Sequence, residues 1–344
     1  MKELKFVSVV MPVRNEANTI KATIESLLKQ DYPLNRIEII IADGISSDGT
    51  DQIVSNLEGV YSNVKYLCNK GRIVSTGLNL AIENSIGDVI IRLDAHSVYP
   101  DNYISKLVHA LDEYQADNVG CAIETIPANK TPVALSIAVC LSSPFGVGNS
   151  KFRVGIKEPV EVDTVPFGCF RREVFDRIGL FDEELIRNQD DEFNARMIRN
   201  RFRIVLIPDL ICRYQARDTL LKLANMLYQY GLFKPLVNWK LKRVATVRQL
   251  VPLFLILYLI GGVVISLIWP TLFSIYLYGI VLYLLFILAG SIKAYTPNKK
   301  LSLLPYCFIT FPIMHVSYGW GYLHGIGELM FRTNNKQKEV KLSR

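Results

Sequence analysis

Asp88-Val89-Ile90-Ile91-Arg92-Leu93-Asp94-Ala95-His96 is an apolar, β-branched run that ends in two potential metal ligands. It is too short for a helix and reads as a buried strand over 89–93. Residues two apart on a strand share a face, so Asp94 and His96 are expected to point the same way from its end. Working upstream, residues 72–84 read as a helix, 64–67 as a strand, and 37–42 as a second buried strand closed by Asp43-Gly44. Ser46-Ser47-Asp48-Gly49-Thr50 is a turn that opens another helix. Residues 20–29 carry an apolar stripe of Ile20, Ile24, Leu27 and Leu28, with Asn18 or Thr19 as cap. Phe6-Val7-Ser8-Val9-Val10-Met11-Pro12-Val13 is the first strand. This alternation describes an α/β domain with a mostly parallel central sheet and right-handed crossovers. Ligands of such sheets sit beyond the carboxyl ends of the strands. Pro12, Asp43 and Asp94 all stand at such ends.

Downstream, residues 103–114 read as a helix, and 120–166 loosens into short apolar runs with Gly and Pro, including a flexible loop at 142–155 that would cover a ligand. Gln189-Asp190-Asp191-Glu192 opens a further helix, and 203–207 is a strand. Leu220, Leu223, Leu227 and Tyr230 form a helical stripe, either an ordinary surface helix or, as its position favours, one lying on a membrane.

The 344 residues carry a net charge of +7 and are half apolar, unevenly so. Residues 251–269 and 271–292 hold no charge, and each is long enough to cross a hydrocarbon core of about 30 Å. A third uncharged stretch, 301–327, is broken by Pro305, Pro312 and several glycines. Lys240, Lys242, Arg243 and Arg248 precede these stretches, Lys293, Lys299 and Lys300 lie between them, and Arg332, Lys336, Lys338 and Lys341 follow. That clustering suits a membrane surface better than nucleic acid. It places the N-terminal region and the 293–300 loop in the cytoplasm, with Trp269-Pro270-Thr271 as the outer turn. The basic tail belongs inside too, so the third stretch is read as spanning or re-entrant, the re-entrant or tilted path being favoured. No secretory signal is read at the start, because 6–13 is short and ends in Arg14-Asn15-Glu16. The six cysteines show no paired spacing, which fits a reducing compartment and suggests neither a zinc site nor a disulfide framework.

Each candidate residue has a bland reading beside the chemical one. Asp43 accepts hydrogen bonds from a nucleoside, or caps the next helix. Gly71-Arg72 at a helix entrance receives phosphate, or Arg72 is simply solvated. Asp94 and His96 hold a divalent ion, Mn or Mg, or His96 only hydrogen-bonds nearby; imidazole tilts the choice toward manganese. Asp190-Asp191-Glu192 either favours the helix dipole or supplies a general base, and Arg196 and Arg199 are possible ion-pair partners.

As a set, Val9-Val10-Met11-Pro12-Val13-Arg14-Asn15-Glu16, Ile41-Ala42-Asp43-Gly44-Ile45-Ser46-Ser47-Asp48-Gly49-Thr50, Arg92-Leu93-Asp94-Ala95-His96 and Gln189-Asp190-Asp191-Glu192-Phe193 resemble the family-2 glycosyltransferases over about residues 6–215. The tail, with His315-Val316-Ser317-Tyr318-Gly319-Trp320-Gly321, resembles the succinoglycan-biosynthesis subgroup. The resemblance implies a GT-A-type, Rossmann-like fold, a nucleotide-diphosphate sugar donor with uracil as the habitual base, a divalent metal, and inversion at the anomeric carbon. By position, Pro12, Glu16, Asp43 and Arg72, with Gly71 and Asp94, would bind the nucleotide. Asp94 and His96 would hold the metal. Asp190 would be the base, with Asp191 its rival because Gln189 stands where many members have glutamate.

The expected organisation is a catalytic domain at 1–217, an amphipathic interfacial linker at 218–249, a membrane region at 250–330 and a basic tail at 331–344. The expected function is transfer of one sugar to a polyprenyl-diphosphate-linked saccharide acceptor in bacterial surface polysaccharide synthesis. The protein would sit in the cytoplasmic membrane, with its catalytic domain cytoplasmic. The alternatives are a processive synthase, disfavoured because Gln-x-x-Arg-Trp is absent, and a non-catalytic sugar-nucleotide-binding membrane protein.

Overall fold

Val7–Val13 (β1) is apolar on both faces, and Val7, Val9, Val10 and Met11 are completely buried. That is the signature of a central strand covered by helices on both sides. The computed structural model describes residues 4–95, 97, 99–244, 246–298 and 301–331. They form two compact units, Met1–Glu124 with Gly155–Tyr214, and Thr125–Val154 with Gln215–Arg344.

In the first unit, Ile20–Leu27 (α1) leads to Ile37–Asp43 (β2), Thr50–Glu58 (α2) to Val64–Cys68 (β3), and Val74–Glu83 (α3) to Val89–Arg92 (β4). β1 pairs in parallel with β2 and β4, and β2 pairs in parallel with β3. Tyr103–Glu113 (α4) follows, then Asn118–Ile126 (β5). The second unit takes up Pro132–Leu141 (α5), Pro144–Val147 (α6) and Lys151–Val154 (α7). The sheet resumes with Val160–Glu161 (β6) and Cys169–Arg171 (β7), then Arg172–Ile178 (α8), Gln189–Arg199 (α9) and Ile204–Gln215 (β8). The strand order is β3-β2-β1-β4-β7-β5-β8-β6. β7 is antiparallel to both β4 and β5, and β6 is antiparallel to β8. The Asp117 and Asn118 N–H groups donate to the Arg203 carbonyl, and the Ala216 N–H donates to the Ile126 carbonyl, so β5 and β8 run together. The sheet is mostly parallel, as read.

Several local expectations need correction. α3 begins at Val74, because Arg72 has φ 61°, which no helix accommodates. β4 ends at Arg92, so Asp94 lies in the turn beyond it and strand alternation does not set its direction. His96 lies outside the described residues, as does the 332–344 tail.

The second unit holds Leu220–Leu241 (α10), Val251–Ile268 (α11), Phe273–Asn298 (α12) and Leu304–Met330 (α13). The stretch 125–154, read as part of the 1–217 domain, is built into it. Ile137, Ala138, Cys140 and Leu141 of α5 share a buried cluster with Leu223, Ile287, Phe311 and Met314. The loop expected at 142–155 is instead two single-turn helices, the first capped by Ser143. The Phe145 ring lies 4.8 Å from that of Phe286, and the Phe145 carbonyl accepts from His315 Nε2 at 2.8 Å. Of the expected α10 stripe, Leu223 is buried and Leu220, Leu227 and Tyr230 are half-buried against the same cluster. Leu223, Met226, Leu232 and Val237 are buried, and Gly231, Gly321 and Gly325 let its backbone close on that of α13. Three helical stretches, Val247–Ile268, Pro270–Ala294 and Leu301–Met330, are long and apolar enough to cross a membrane. In the last, α13 runs unbroken through Pro312. A proline removes a single backbone bond, and the packing of α5 and α10 on α13 braces the helix around it.

Candidate active site

The sheet order puts β2 and β3 on one side of β1 and β4 on the other. The switch point of the topology is therefore between β1 and β4, where an open α/β sheet leaves a crevice at its carboxyl edge. Pro12 and Asp94 flank that crevice, and the Leu93 N–H still donates to the Val10 carbonyl at 3.0 Å. Asp43 ends the neighbouring β2 opposite Val13.

Asp43 is buried, and its carboxylate accepts from the Ser46 N–H at 3.0 Å and from the Ser46 hydroxyl. It does not cap α2. Asp48 serves that helix start, accepting from the Thr50 N–H at 3.1 Å and the Thr50 hydroxyl at 2.6 Å. Slight burial works against ionisation of Asp48, but bonds from Thr50 and from the Ala17 N–H outweigh it and lower its pKa. The Glu16 N–H donates to Thr50 Oγ1 at 2.8 Å, and Asn15 Oδ1 accepts from the Ser47 N–H at 2.8 Å. The β1 and β2 loops are thus laced together. The Glu16 carboxylate accepts from the Thr19 hydroxyl at 3.1 Å.

Beyond β3, buried Asn69 ties a tight loop. It donates to the Ile73 carbonyl at 2.9 Å and accepts from the Gly71 N–H at 3.1 Å and the Thr76 hydroxyl at 2.9 Å. A Cβ on Gly71 would collide with Thr76. Arg72 is exposed, two residues before α3. Of the eight non-glycine residues with positive φ among the described residues, Asn15, Ile45, Arg72, Phe167 and Asn188 stand in these carboxyl-edge loops or in those leading to α9. Such conformations cost about 1–3 kcal/mol each and gather at functional sites. A β-branched Ile45 at φ 57° is the clearest of them.

Asp94 is held three ways. Its N–H donates to the Tyr99 hydroxyl at 3.0 Å, its carbonyl accepts from the same hydroxyl at 3.0 Å, and its carboxylate lies 2.9 Å from Arg92 Nη2. Burial raises the Tyr99 pKa well above that of a free phenol, so the hydroxyl keeps its proton. The Arg92 guanidinium lies 5.4 Å from the centre of the Phe167 ring. Arg92, Tyr99 and Phe167 were not singled out from the sequence. The signal for Arg92 was there, an opposite charge two residues before Asp94.

α9 brings the acidic run to the same edge. It leads into Arg203, whose carbonyl bonds to residues 117 and 118 at the start of β5. Because β5 runs as β4 does, that start is the amino edge. Eleven helical residues, about 16 Å, carry the chain from there back toward the carboxyl edge. The segment before α9 is latched to α3: Ser75 Oγ donates to the Leu185 carbonyl at 3.2 Å, and Asn79 bonds Phe181 through both its carbonyl and its N–H, at 2.8 and 2.9 Å. Fully buried Phe193 seats the helix against Phe170, Phe175 and Phe181. Asp190 and Asp191 are half-buried in the first turn, and Asp190 Oδ1 accepts from the Asp191 N–H at 3.0 Å. Glu192 is different: it is buried and paired with Arg196 at 2.9 Å. Of the two arginines offered as partners, Arg196 takes Glu192, and Arg199 is exposed.

Among the described residues, no three His, Cys, Asp or Glu side chains converge as a metal cage. A single carboxylate at the switch point fits an ion that completes its shell with ligand oxygens and water, as magnesium-type sites on phosphates do. The Glycosyl transferase family 2 pattern matches residues 8–179, half of the chain. The chain belongs to glycosyl transferase family 2. Among this glycosyltransferase's relatives, the succinoglycan biosynthesis protein ExoA of Rhizobium meliloti (strain 1021) is 33% identical over 247 residues, covering 71% of this chain and 74% of ExoA. A dolichyl N-acetyl-alpha-D-glucosaminyl phosphate 3-beta-D-2,3-diacetamido-2,3-dideoxy-beta-D-glucuronosyltransferase of Methanococcus voltae is 28% identical, covering 68% of this chain and 74% of its own. Among solved structures, a Pyrobaculum calidifontis mannosyltransferase in complex with GDP-Man and Mn2+ superposes with a TM-score of 0.54 at 18% identity, covering 92% of this chain and 88% of that one. S. aureus TarS 1-349 gives 0.51 at 19% identity, covering 93% and 91%. These likenesses give the glycosyltransferase a GT-A-type fold.

Proposed function

We propose that this family-2 glycosyltransferase moves one sugar from a nucleotide-diphosphate sugar to a lipid-linked saccharide acceptor, with inversion, at the cytoplasmic face of a cell membrane. The observation that supports the reading is that Pro12, Asp43 and Asp94 stand at or just beyond the carboxyl ends of neighbouring parallel strands, and that the segment leading into α9 is tied to the first turn of α3 beyond that edge. Pro12, Glu16, Asp43 and the Gly71-Arg72 turn bind the nucleotide. Asp43 and Glu16 supply acceptors, and Arg72 supplies charge beside the amino end of α3. Asp94, with His96 assigned from the sequence alone, holds Mn or Mg. When bound, that ion contributes positive charge toward the departing nucleoside diphosphate.

Asp190 takes the proton of the acceptor hydroxyl as its oxygen attacks the anomeric carbon, and Asp191 is the rival for this role. A single in-line displacement inverts that carbon. Relatives named for succinoglycan biosynthesis and for a dolichyl-phosphate-linked sugar support a lipid-linked acceptor in polysaccharide synthesis. The three apolar helices support a membrane location, and the basic residues beside them support the cytoplasmic side. The catalytic domain is assigned to 1–217 without its 125–154 insertion. Asp190→Asn is expected to lower transfer by about 10²-fold or more while nucleotide binding persists. The assay is product mass from membrane extracts supplied with a panel of nucleotide sugars. Full turnover by Asp190→Asn together with loss in Asp191→Asn would move the role to Asp191; turnover by both would remove it from α9.

A further inference from the structure

Asp94 does not stand as a bare carboxylate. Arg92, the last residue of β4, reaches it at 2.9 Å with a side chain only 14% exposed. Its backbone N–H is bound to the Gly168 carbonyl at 3.0 Å. The guanidinium packs over Phe167, whose backbone is left-handed at φ 49°. Phe167 in turn meets Tyr99 edge-on at 6.1 Å, and the Tyr99 hydroxyl brackets the Asp94 backbone. The cation is thus held in place by a strand and by a strained aromatic, which itself packs on the residue that brackets the Asp94 backbone.

We propose that Arg92 is a resident counter-cation for Asp94, which makes divalent-ion binding depend on arrival of the nucleoside diphosphate. The inference rests on the reading of Asp94 as the metal-holding residue. With Arg92 in place, the carboxylate is already neutralised and a free divalent ion meets a fixed positive charge. At contact distances in a partly buried site, that repulsion weakens binding by about tenfold or more. The diphosphate brings enough negative charge to offset both cations, so ion and donor enter together. Arg92 is a positioning residue here and touches no reacting atom.

The experiment is a Mn²⁺ titration of the full chain in detergent, read by the electron paramagnetic resonance of the free ion, with and without UDP or GDP. Wild type is expected to bind Mn²⁺ at least about tenfold more tightly with a nucleotide than without. Arg92→Gln should gain about tenfold or more in the nucleotide-free titration, and Arg92→Lys, which keeps the charge, should stay close to wild type. Equal wild-type affinity with and without nucleotide overturns the proposal without recourse to any variant. So does an Arg92→Gln affinity unchanged or weakened, or a gain shared equally by Arg92→Lys. Asp94→Asn separates the two readings. If it retains nucleotide-dependent Mn²⁺ binding, the metal role of Asp94 falls. If it loses that binding while Arg92→Gln behaves as wild type, only the role of Arg92 falls.

Discussion

Glu192→Ala should destabilise the first unit while leaving the chemistry intact, the reverse of Asp190→Asn. Glu192 is 6% exposed, and its two oxygens lie 2.9 and 3.0 Å from Nη2 and Nε of Arg196. Arg196 also donates to the Ile178 carbonyl at 2.5 Å and the Leu180 carbonyl at 2.7 Å, and lies over the Phe193 ring. Stranding one partner of a buried ion pair costs about 3–5 kcal/mol. The two carbonyl bonds survive the substitution, and the Arg196 side chain is 23% exposed, so about 2–3 kcal/mol is expected. For a unit of this size that lowers the melting temperature by about 4–12 °C. Asp190→Asn loses one charge from the amino end of a helix, about 0.3–1 kcal/mol, and so shifts it far less. The assay pairs thermal unfolding of the full chain, followed by intrinsic fluorescence in detergent, with sugar transfer at a temperature where every variant is folded. Glu192→Ala should then transfer within a few-fold of wild type. A Glu192→Ala protein that melts like wild type yet has lost transfer would refute the division of labour, as would an equal loss of stability in Asp190→Asn.

Two further outcomes follow from single contacts. Lys5, at 2.6 Å, holds the Asp112 carboxyl down to about 2 against partial burial, helped by Arg171 at 2.8 Å. A depressed carboxyl stabilises above its unfolded pKa of about 3.9, so this contribution is lost as pH falls from about 4 toward about 2. Asp112→Asn should flatten melting temperature against pH in that window and cost about 1–2 kcal/mol near neutrality, after allowance for screening. Gly77→Ala would place a Cβ 2.9 Å from Asn69 Nδ2 and 3.1 Å from Pro12 Cβ. Asn69 is locked by its loop bonds and Pro12 by β1, so neither can give. The strain of about 1–3 kcal/mol outweighs the gain of about 1 kcal/mol in helix propensity, and nucleotide affinity measured by calorimetry should fall with stability.

The parallel half of the sheet was legible because β1, β2 and β4 are short β-branched runs buried on both faces, a pattern set locally. β6 and β7 were not. Val160–Glu161 and Cys169–Arg171 are too short to carry a period, and pairing with β8 and β4 makes them strands. The strand-end rule found Pro12, Asp43 and Asp94 because topology alone sends those ends to one edge. It missed the Asn69 loop and the Asn79 latch, since an asparagine in a helix or turn gives no sign of which distant carbonyl it will meet. The acidic run at 190–192 was read as one feature, but Glu192 sits four residues before Arg196 on the inner face and Asp190 does not. Helical spacing already contained that distinction.

The 125–154 stretch departs from the 1–217 unit for a physical reason with a measurable consequence. α5 is apolar all round, and such a helix must be covered, although periodicity cannot say by what. Its cover comes from beyond residue 217: Leu223, Phe311 and Met314 pack on Ile137 and Leu141, and Phe286 packs on Phe145. A chain stopped at 217 bares those three side chains. Ile137 and Leu141 each lose up to about 1.5–3 kcal/mol of burial and half-buried Phe145 less, together about 4–8 kcal/mol. That rivals the whole stability of a typical domain, and the bared face joins into a patch of the kind that drives association. Residues 1–217 alone should therefore aggregate on expression. The same chain with 127–153 replaced by a short glycine-serine link should elute as a monomer in size-exclusion chromatography. A monodisperse, cooperatively melting 1–217 chain that keeps the insertion would show that α5 does not need the helices that follow it.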